Sequence, residues 1–288
     1  PNSRKIHKIP IVRIGGLTII LTFLLFLFIN YLFLNSADNS LFGSQKILAI
    51  IIGSLFYFLL GIHDDIYRSS PVLRLIIQFL IAFFVSLFGI NLSDLTINLP
   101  YFGSIDFTLP SFWSHLLTCF WIVGITNAIN WLDGLDGLSA GYSFFVSLSI
   151  LITSFILGNM DGIIMLSIFS GSLIGFLIRN FKPAFYIMGD CGSYFLGFFL
   201  STGVIYFSSN GLENSVPFQY MIILFSLPIF DMTFVVLNRV LKKLNPLKPD
   251  ANHIHHRMIQ AGISYEFIIF SLYLYSIFCL TQANLSLF

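Results

Sequence analysis

Charge is what this sequence has least of. It carries 14 Lys and Arg and 13 Asp and Glu among 288 residues, only 9% of the chain. A soluble domain carries about 25%. With 34 Phe to cover and a mean hydropathy of +0.89, so few charges cannot solvate a globule of this size. A soluble enzyme, a disordered chain and a nucleic-acid binder are excluded on composition. The net charge of +1 calls for no polyanionic partner. Cysteine is also scarce. Cys119, Cys191 and Cys279 are far apart and lack metal-ligand spacing, which argues against a disulfide framework and against zinc. Period-2 alternation across span-length segments, the mark of an outer-membrane barrel, is missing. So are repeats of fixed period and any second, soluble domain. The expectation is one membrane domain over 1–288. The first residue is Pro1 rather than Met, so a processed chain or a fragment is expected, with more structure ahead of it.

What is present is apolar sequence in runs near the ~20 residues that cross a bilayer. Nine can be read: 15–34, 46–62, 72–90, 112–129, 138–157, 162–178, 192–208, 217–237 and 263–281. They are read as helices, because isolated strands cannot satisfy their backbone in lipid. The first run follows Arg4, Lys5, Lys8 and Arg13, but it is too long for a cleaved signal peptide and more spans follow. The fold class is therefore all-α, a polytopic integral membrane protein with about nine transmembrane helices.

Nine spans alternate the loops between two faces. The face holding residues 1–14 then also holds 63–71, 130–137, 179–191 and 238–262. With its span ends it carries thirteen of the fourteen Lys and Arg; the other face carries only Lys46. The positive-inside rule makes the rich face cytoplasmic.

The polar clusters fall on that same face. They are Asn2-Ser3-Arg4-Lys5-Ile6-His7, Asp64-Asp65, the stretch Asn127 to Gly137, Met188 to Ser193, and His253-Ile254-His255-His256-Arg257. Adjacent carboxylates such as Asp64 and Asp65 repel unless a cation sits near them. A hard divalent ion answers that need, and Mg²⁺ prefers carboxylate, amide and phosphate oxygens. Carboxylates, Mg²⁺ and basic groups together describe phosphoryl transfer. Glycines 134, 137, 189 and 192 let backbone N–H groups approach phosphate oxygens. A site at the bilayer surface suggests that one substrate is a lipid.

Each cluster has a plainer reading. Asp64-Asp65 could be a solvated helix cap. Asn127, Asn130 and Asp133, at i, i+3, i+6, could be interhelical glue. Gly189 to Ser193 could be a turn and N-cap, and the histidines a solvated loop. Asp231, inside a span, is a functional candidate by default, with pairing to Arg239 or Arg74 as the structural alternative. Arg74 could simply snorkel. The weight lies in the convergence of the clusters on one face, which the loop alternation gives without using them.

These residues resemble the polyprenyl-phosphate N-acetylhexosamine-1-phosphate transferase family (glycosyltransferase family 4). PNxRKxH is met by Pro1 to His7, followed by Pro10 and Gly15-Gly16. The paired-aspartate motif is Gly61-Ile62-His63-Asp64-Asp65. NAxNxxDGxDGL runs from Asn127 to Leu138, NxxPAxxxMGDxGS from Asn180 to Ser193, and HxHH from His253 to His256. Five motifs in order cover nearly the whole chain. The resemblance implies an enzyme with a cytoplasmic site that moves a sugar 1-phosphate from a UDP-N-acetylhexosamine to undecaprenyl (polyprenyl) phosphate, releasing UMP, as the first membrane step of cell-surface glycan synthesis. It implies Mg²⁺ or Mn²⁺, and a further helix ahead of Pro1. Residue by residue, it implies Asp190 and Asn130 as the metal site. Asp64 and Asp65 would meet the lipid phosphate and deprotonate or orient it. Asp133 counts with them as catalytic, and with Asp136 and Asn180 it would face the nucleotide. His253, His255 and His256 would meet the sugar or diphosphate. Lys5 and His7 would neutralise phosphates, and Asn127 and Arg257 would complete substrate binding.

Ile254 interrupts the run of three histidines usual in the peptidoglycan branch, which favours the UDP-GlcNAc branch that begins O-antigen, teichoic acid or related glycans. Phospho-N-acetylmuramoyl-pentapeptide transfer is the alternative within the family. From other classes, a secondary transporter would need charges near the midplane, and a non-catalytic scaffold would have no use for the carboxylates. The expected partners are the nucleotide sugar, the lipid phosphate and the bilayer, with no nucleic acid; a homodimer is left open.

Overall fold

The computed structural model describes residues 13–34, 43–99, 103–208, 217–245 and 252–287. The helices are α1 Gly15–Leu34, α2 Gln45–Tyr67, α3 Pro71–Leu87, α4 Ser111–Leu132, α5 Leu138–Ile156, α6 Met160–Asn180, α7 Gly189–Phe207, α8 Phe218–Leu224, α9 Ser226–Leu241, α10 Ile254–Gln260 and α11 Tyr265–Leu285. All nine apolar runs are helical. Among the described residues six helices are long and apolar enough to cross a bilayer, seven if α8 and α9 form one bent span, against about nine read from the sequence; α3 is shorter, at 17 residues, and α7 is less apolar. The chain is a multi-pass integral membrane protein. Large apolar side chains such as Leu21, Phe28 and Leu80 face outward at 56%, 57% and 64% exposure, as a bilayer solvent allows.

Local sequence sets the helix ends. Ser70 accepts a hydrogen bond from Leu73 N–H with Pro71 in the first turn of α3. Asn159 and Ser264 cap α6 and α11 in the same way. The core is α7, buried without interruption from Cys191 to Val204 and packed against α2 and α4. Phe195 and Phe199 of α7 join Phe23 and Phe169 in one aromatic cluster, with Phe169 stacked on Phe199 at 4.4 Å between ring centroids. Gly61 lies so close to the Cys191 backbone that a Cβ would not fit. Such close approach between small residues holds helices together where lipid removes the hydrophobic drive. Here it brings the end of α2 to the start of α7.

Two features depart from the sequence reading. Residues 91–111, expected as a loop, contain an antiparallel hairpin, β1 Asp94–Leu99 and β2 Gly103–Thr108, with Leu95 opposite Phe107 and Ile97 opposite Ile105. Its strands alternate apolar and polar residues, but each is only six residues long, too short to register beside spans of twenty. The run 217–237 is not straight. It bends by 74° between α8 and α9. Pro228 has no N–H for the Leu224 carbonyl, and the Tyr142 hydroxyl donates to that carbonyl instead, at 3.0 Å.

Candidate active site

The ends of α2, α4, α6 and α7, the start of α5 and the segment around α10 meet at one end of the bundle. Asp64 and Asp65 leave α2 on its last turn. Asp64 is 4% exposed and forms a short ion pair with Arg74 of α3, which also donates to the Tyr194 hydroxyl at 3.3 Å. Asp64 Oδ1 is buried with no hydrogen-bond donor. Asp190, in the first turn of α7, lies near enough to Asp64 and Asp65 to feel their charge. Asp65 accepts from Cys191 N–H at 3.1 Å, close to the N-terminal pole of α7, and from Arg13 at 3.4 Å.

Asn130, on the last turns of α4, donates its amide to Asp190 Oδ1 and to Ser193 Oγ, both at 2.8 Å. Asp133 ends α4. Burial pushes its carboxyl up to about 8, and Asp190, Asp65 and Asp136 add to the rise while Arg13 opposes it. Asn180 is buried, accepting from Gly137 N–H at 2.8 Å and donating to the Tyr186 carbonyl at 3.1 Å. It ties the Asp133–Gly137 turn to the segment that leads into α7. Asp136 accepts from Ala184 N–H at 3.4 Å, and its carbonyl accepts from the Tyr265 hydroxyl.

The histidines form a second group. His253 donates through Nδ1 to Asp231 Oδ2 at 2.8 Å. That settles the partner of Asp231: it is His253, 22 residues along the chain, rather than Arg74 or Arg239. His255 is fully buried, stacks parallel to His253 at 5.8 Å, and has no partner on either ring nitrogen. Burial and the neighbouring His256 and His253 push it down to about 3, so it is neutral. The backbone of Gly134 lies against its Nε2 with no room for a Cβ. The acidic turn and the histidine segment are therefore in direct contact.

Asn127 is held by Gln78 Oε1 at 2.6 Å and the Val123 carbonyl at 2.8 Å, and lines a cavity of about 340 Å³ between α3, α4 and α9. Arg74, Trp131, Arg239 and His253 form its polar part, and Leu75, Phe79 and Val236 its apolar wall. Through Leu75 and Phe79 it adjoins a cavity of about 790 Å³ between α3 and α4, apolar but for His115. The neighbouring spaces together suit a ligand with an anionic head and a long apolar tail. Arg257 lies elsewhere. Its guanidinium stacks over Phe234 at 4.5 Å, beside the crevice between α9 and α11. Lys5 and His7 lie outside the described residues. Arg74 and Tyr194 are site residues that the sequence reading missed. For Arg74 the signal was its place ten residues after Asp64, across a Ser-Ser-Pro turn.

Residues 47–208 match the model of the family described as glycosyl transferase family 4. The chain belongs to that family. A Bacillus subtilis relative, a probable undecaprenyl-phosphate N-acetylglucosaminyl 1-phosphate transferase, is 36% identical over 282 residues, covering 95% of this chain and 73% of the relative. The Thermotoga maritima undecaprenyl-phosphate α-N-acetylglucosaminyl 1-phosphate transferase is 32% identical over 256 residues, 89% of this chain and 70% of its own length. A phospho-N-acetylmuramoyl-pentapeptide-transferase of a Thermoanaerobacter species is 29% identical over 252 residues, 84% of this chain and 77% of its own. The matched segment contains Asp64, Asp65, Asp133, Asp136 and Asp190, but ends before the histidine segment.

Proposed function

We propose that this protein transfers N-acetylglucosamine 1-phosphate from UDP-GlcNAc to undecaprenyl phosphate and releases UMP, on the cytoplasmic face of a bacterial inner membrane. The observation that carries this reading is the carboxylate cluster of Asp64, Asp65, Asp133 and Asp190 beside a cavity with a cationic head and apolar neighbouring space. The names of the relatives supply the substrate class, and the interrupted histidine run favours the UDP-GlcNAc branch.

A divalent cation fits these residues. The donors are all oxygen, and Asp64 Oδ1 is buried and undonated beside Asp190. No three His, Cys, Asp or Glu side chains among the described residues are close enough to share an ion. That suits Mg²⁺, which binds through one or two carboxylates and keeps water and substrate phosphates as its other ligands. Asp190 and Asp64 would hold it. When bound, it neutralises charge on the diphosphate of the donor.

The chain's own groups do the rest. Arg74, Arg239 and His253 line the cavity where the acceptor phosphate would sit, and offset the repulsion between a lipid phosphate and an incoming diphosphate. An acceptor phosphate oxygen attacks the phosphorus that bears the sugar; the bond from that phosphorus to UMP breaks. Asn130 holds Asp190 in place. Asp65, fixed by Cys191 N–H and Arg13, stands beside it as the group that orients or deprotonates the acceptor. Neutral His255, with two free nitrogens against Gly134, offers hydrogen bonds to the sugar or diphosphate.

The test is transfer by the full chain in detergent, from a panel of labelled UDP-sugars to undecaprenyl phosphate with Mg²⁺, read by mass spectrometry of the lipid. The expected product is a lipid-linked GlcNAc diphosphate, with UMP. Product from UDP-MurNAc-pentapeptide alone would replace this reading with the peptidoglycan one.

A further inference from the structure

Asp231 lies on the second turn of α9, 6% exposed, and makes no hydrogen bond to the carboxylate cluster. A carboxylate inside a span is costly unless its oxygens are satisfied. Both oxygens of Asp231 are spent on one short segment: Oδ2 on His253 Nδ1 at 2.8 Å, and Oδ1 on Ile254 N–H at 2.7 Å. His253 is the N-cap residue of α10, yet its own side chain makes no capping bond. Asp231 caps that helix from a different element. The His253 ring is also wedged edge-on against Trp131 at 5.4 Å, and Arg239 lies over Trp131 at 5.1 Å.

This arrangement decides which face of the imidazole is chemically free. A carboxylate at Nδ1 keeps that nitrogen protonated as the donor. Nε2 is then the one ring nitrogen left for a molecule in the cavity that His253 lines with Arg74, Asn127 and Arg239.

We infer that Asp231 is a positioning residue for the transfer reaction, fixing the tautomer and orientation of His253 so that Nε2 addresses the phosphate of the acceptor lipid. The inference rests on the function proposed above. Asp231 itself touches no substrate; it acts through His253 and through the start of α10, and so also sets where His255 stands.

Asp231→Asn separates this role from mere packing. The asparagine keeps the shape, and its oxygen still accepts from Ile254 N–H. Its NH₂ group then faces His253 Nδ1 as a donor, so the ring proton must move to Nε2. The first readout needs no catalysis. In ¹⁵N-histidine NMR of the full chain in micelles, with the His253 signals assigned by their loss in His253→Gln, the unmutated protein shows the Nδ1–H form and Asp231→Asn the Nε2–H form. The second is kinetic. Asp231→Asn lowers kcat roughly 10- to 100-fold, the usual loss when a supporting carboxylate is removed. KM for the nucleotide sugar stays unchanged, and the substitution has no further effect in a His253→Gln background. If Asp231→Asn does not fold, Asp231→Glu, which displaces the ring, carries the same cycle. An unchanged tautomer, or losses that multiply in the double variant, would overturn the inference. A switched tautomer with no transfer by the unmutated chain would leave the Asp231–His253 coupling standing and remove the function instead.

Discussion

The two ends of the bundle handle their polar groups in opposite ways. At the end bearing the hairpin, Tyr220, Ser149, Thr153 and Asn284 form a closed set of hydrogen bonds among α5, α8 and α11, and Asn98 ties the hairpin to Gln219 and Ser286. At the other end, carboxylates crowd one another, Asp64 Oδ1 has no donor and neither ring nitrogen of His255 has a hydrogen-bond partner. Satisfied groups of the first kind join helices. Groups of the second kind persist at a cost in stability and await something that completes them. The hydroxyls of Ser114 and Ser208 at the first end also lack a partner, but among the described residues a buried carboxylate oxygen and a buried imidazole without one lie only at the second.

The sharpest way to break that comparison is Asp190→Ala. Transfer should fall by about 1,000-fold or more, as expected when a main charge-stabilising group is lost. The melting temperature of the cation-free protein should not fall, because one of two crowded carboxylates is gone. A lost fold together with lost activity would show that Asp190 belongs to the framework.

Arg74→Met comes next. It strands the buried Asp64 and should cost about 3 kcal/mol of stability. Adding Asp64→Asn should restore the melting temperature but not the turnover. Recovery of both would demote the pair to a structural one.

Titration of Asp133 gives a smaller effect per pH unit. Its carboxyl is pushed up to about 8, so in the folded protein it keeps a proton that the unfolded chain releases near the ordinary carboxylate value of 3.8. Stability from this group is therefore fully present below that value and is lost as pH rises towards 8, at no more than about 1.4 kcal/mol per pH unit. Melting curves in chelator should show this fall, and Asp133→Asn should flatten it. A slope that survives the substitution assigns the titration elsewhere.

The smallest effect belongs to the opposite end. Thr153→Val should cost about 0.6 kcal/mol, typical of a hydrogen bond between helices in lipid, and leave kcat untouched. A kcat change there would mean that the two ends are coupled.

Much of this was legible in the residues. Hydropathy alone marks every long helix, because burial in lipid demands unbroken apolar length. The gathering of the clusters at one end follows from counting alternate loops. The hairpin escaped because six-residue strands leave a weak trace beside spans. The bend at Phe225 escaped because Pro228 inside an apolar run does not reveal whether a neighbour will serve the freed carbonyl; Tyr142, 82 residues away, does so. The partner of Asp231 was ambiguous for a similar reason. Arg74, Arg239 and His253 all lie on the same face, and only packing chooses among them. Asn180 and Arg257 are expected at the substrate, but chain order cannot show that packing also ties one to Gly137 N–H and the Tyr186 carbonyl and stacks the other on Phe234.

The apolar cavity between α3 and α4 has exposed walls, with Ile76, Leu80 and Phe112 at 53%, 64% and 69% exposure. A long isoprenoid lying there would be open to the surrounding lipid along its flank. It would not need to be threaded in or out, and would slide sideways between protein and bilayer while only its charged end was gripped. Selectivity for such a carrier would reside in its head, and turnover would depend little on how many isoprene units trail behind.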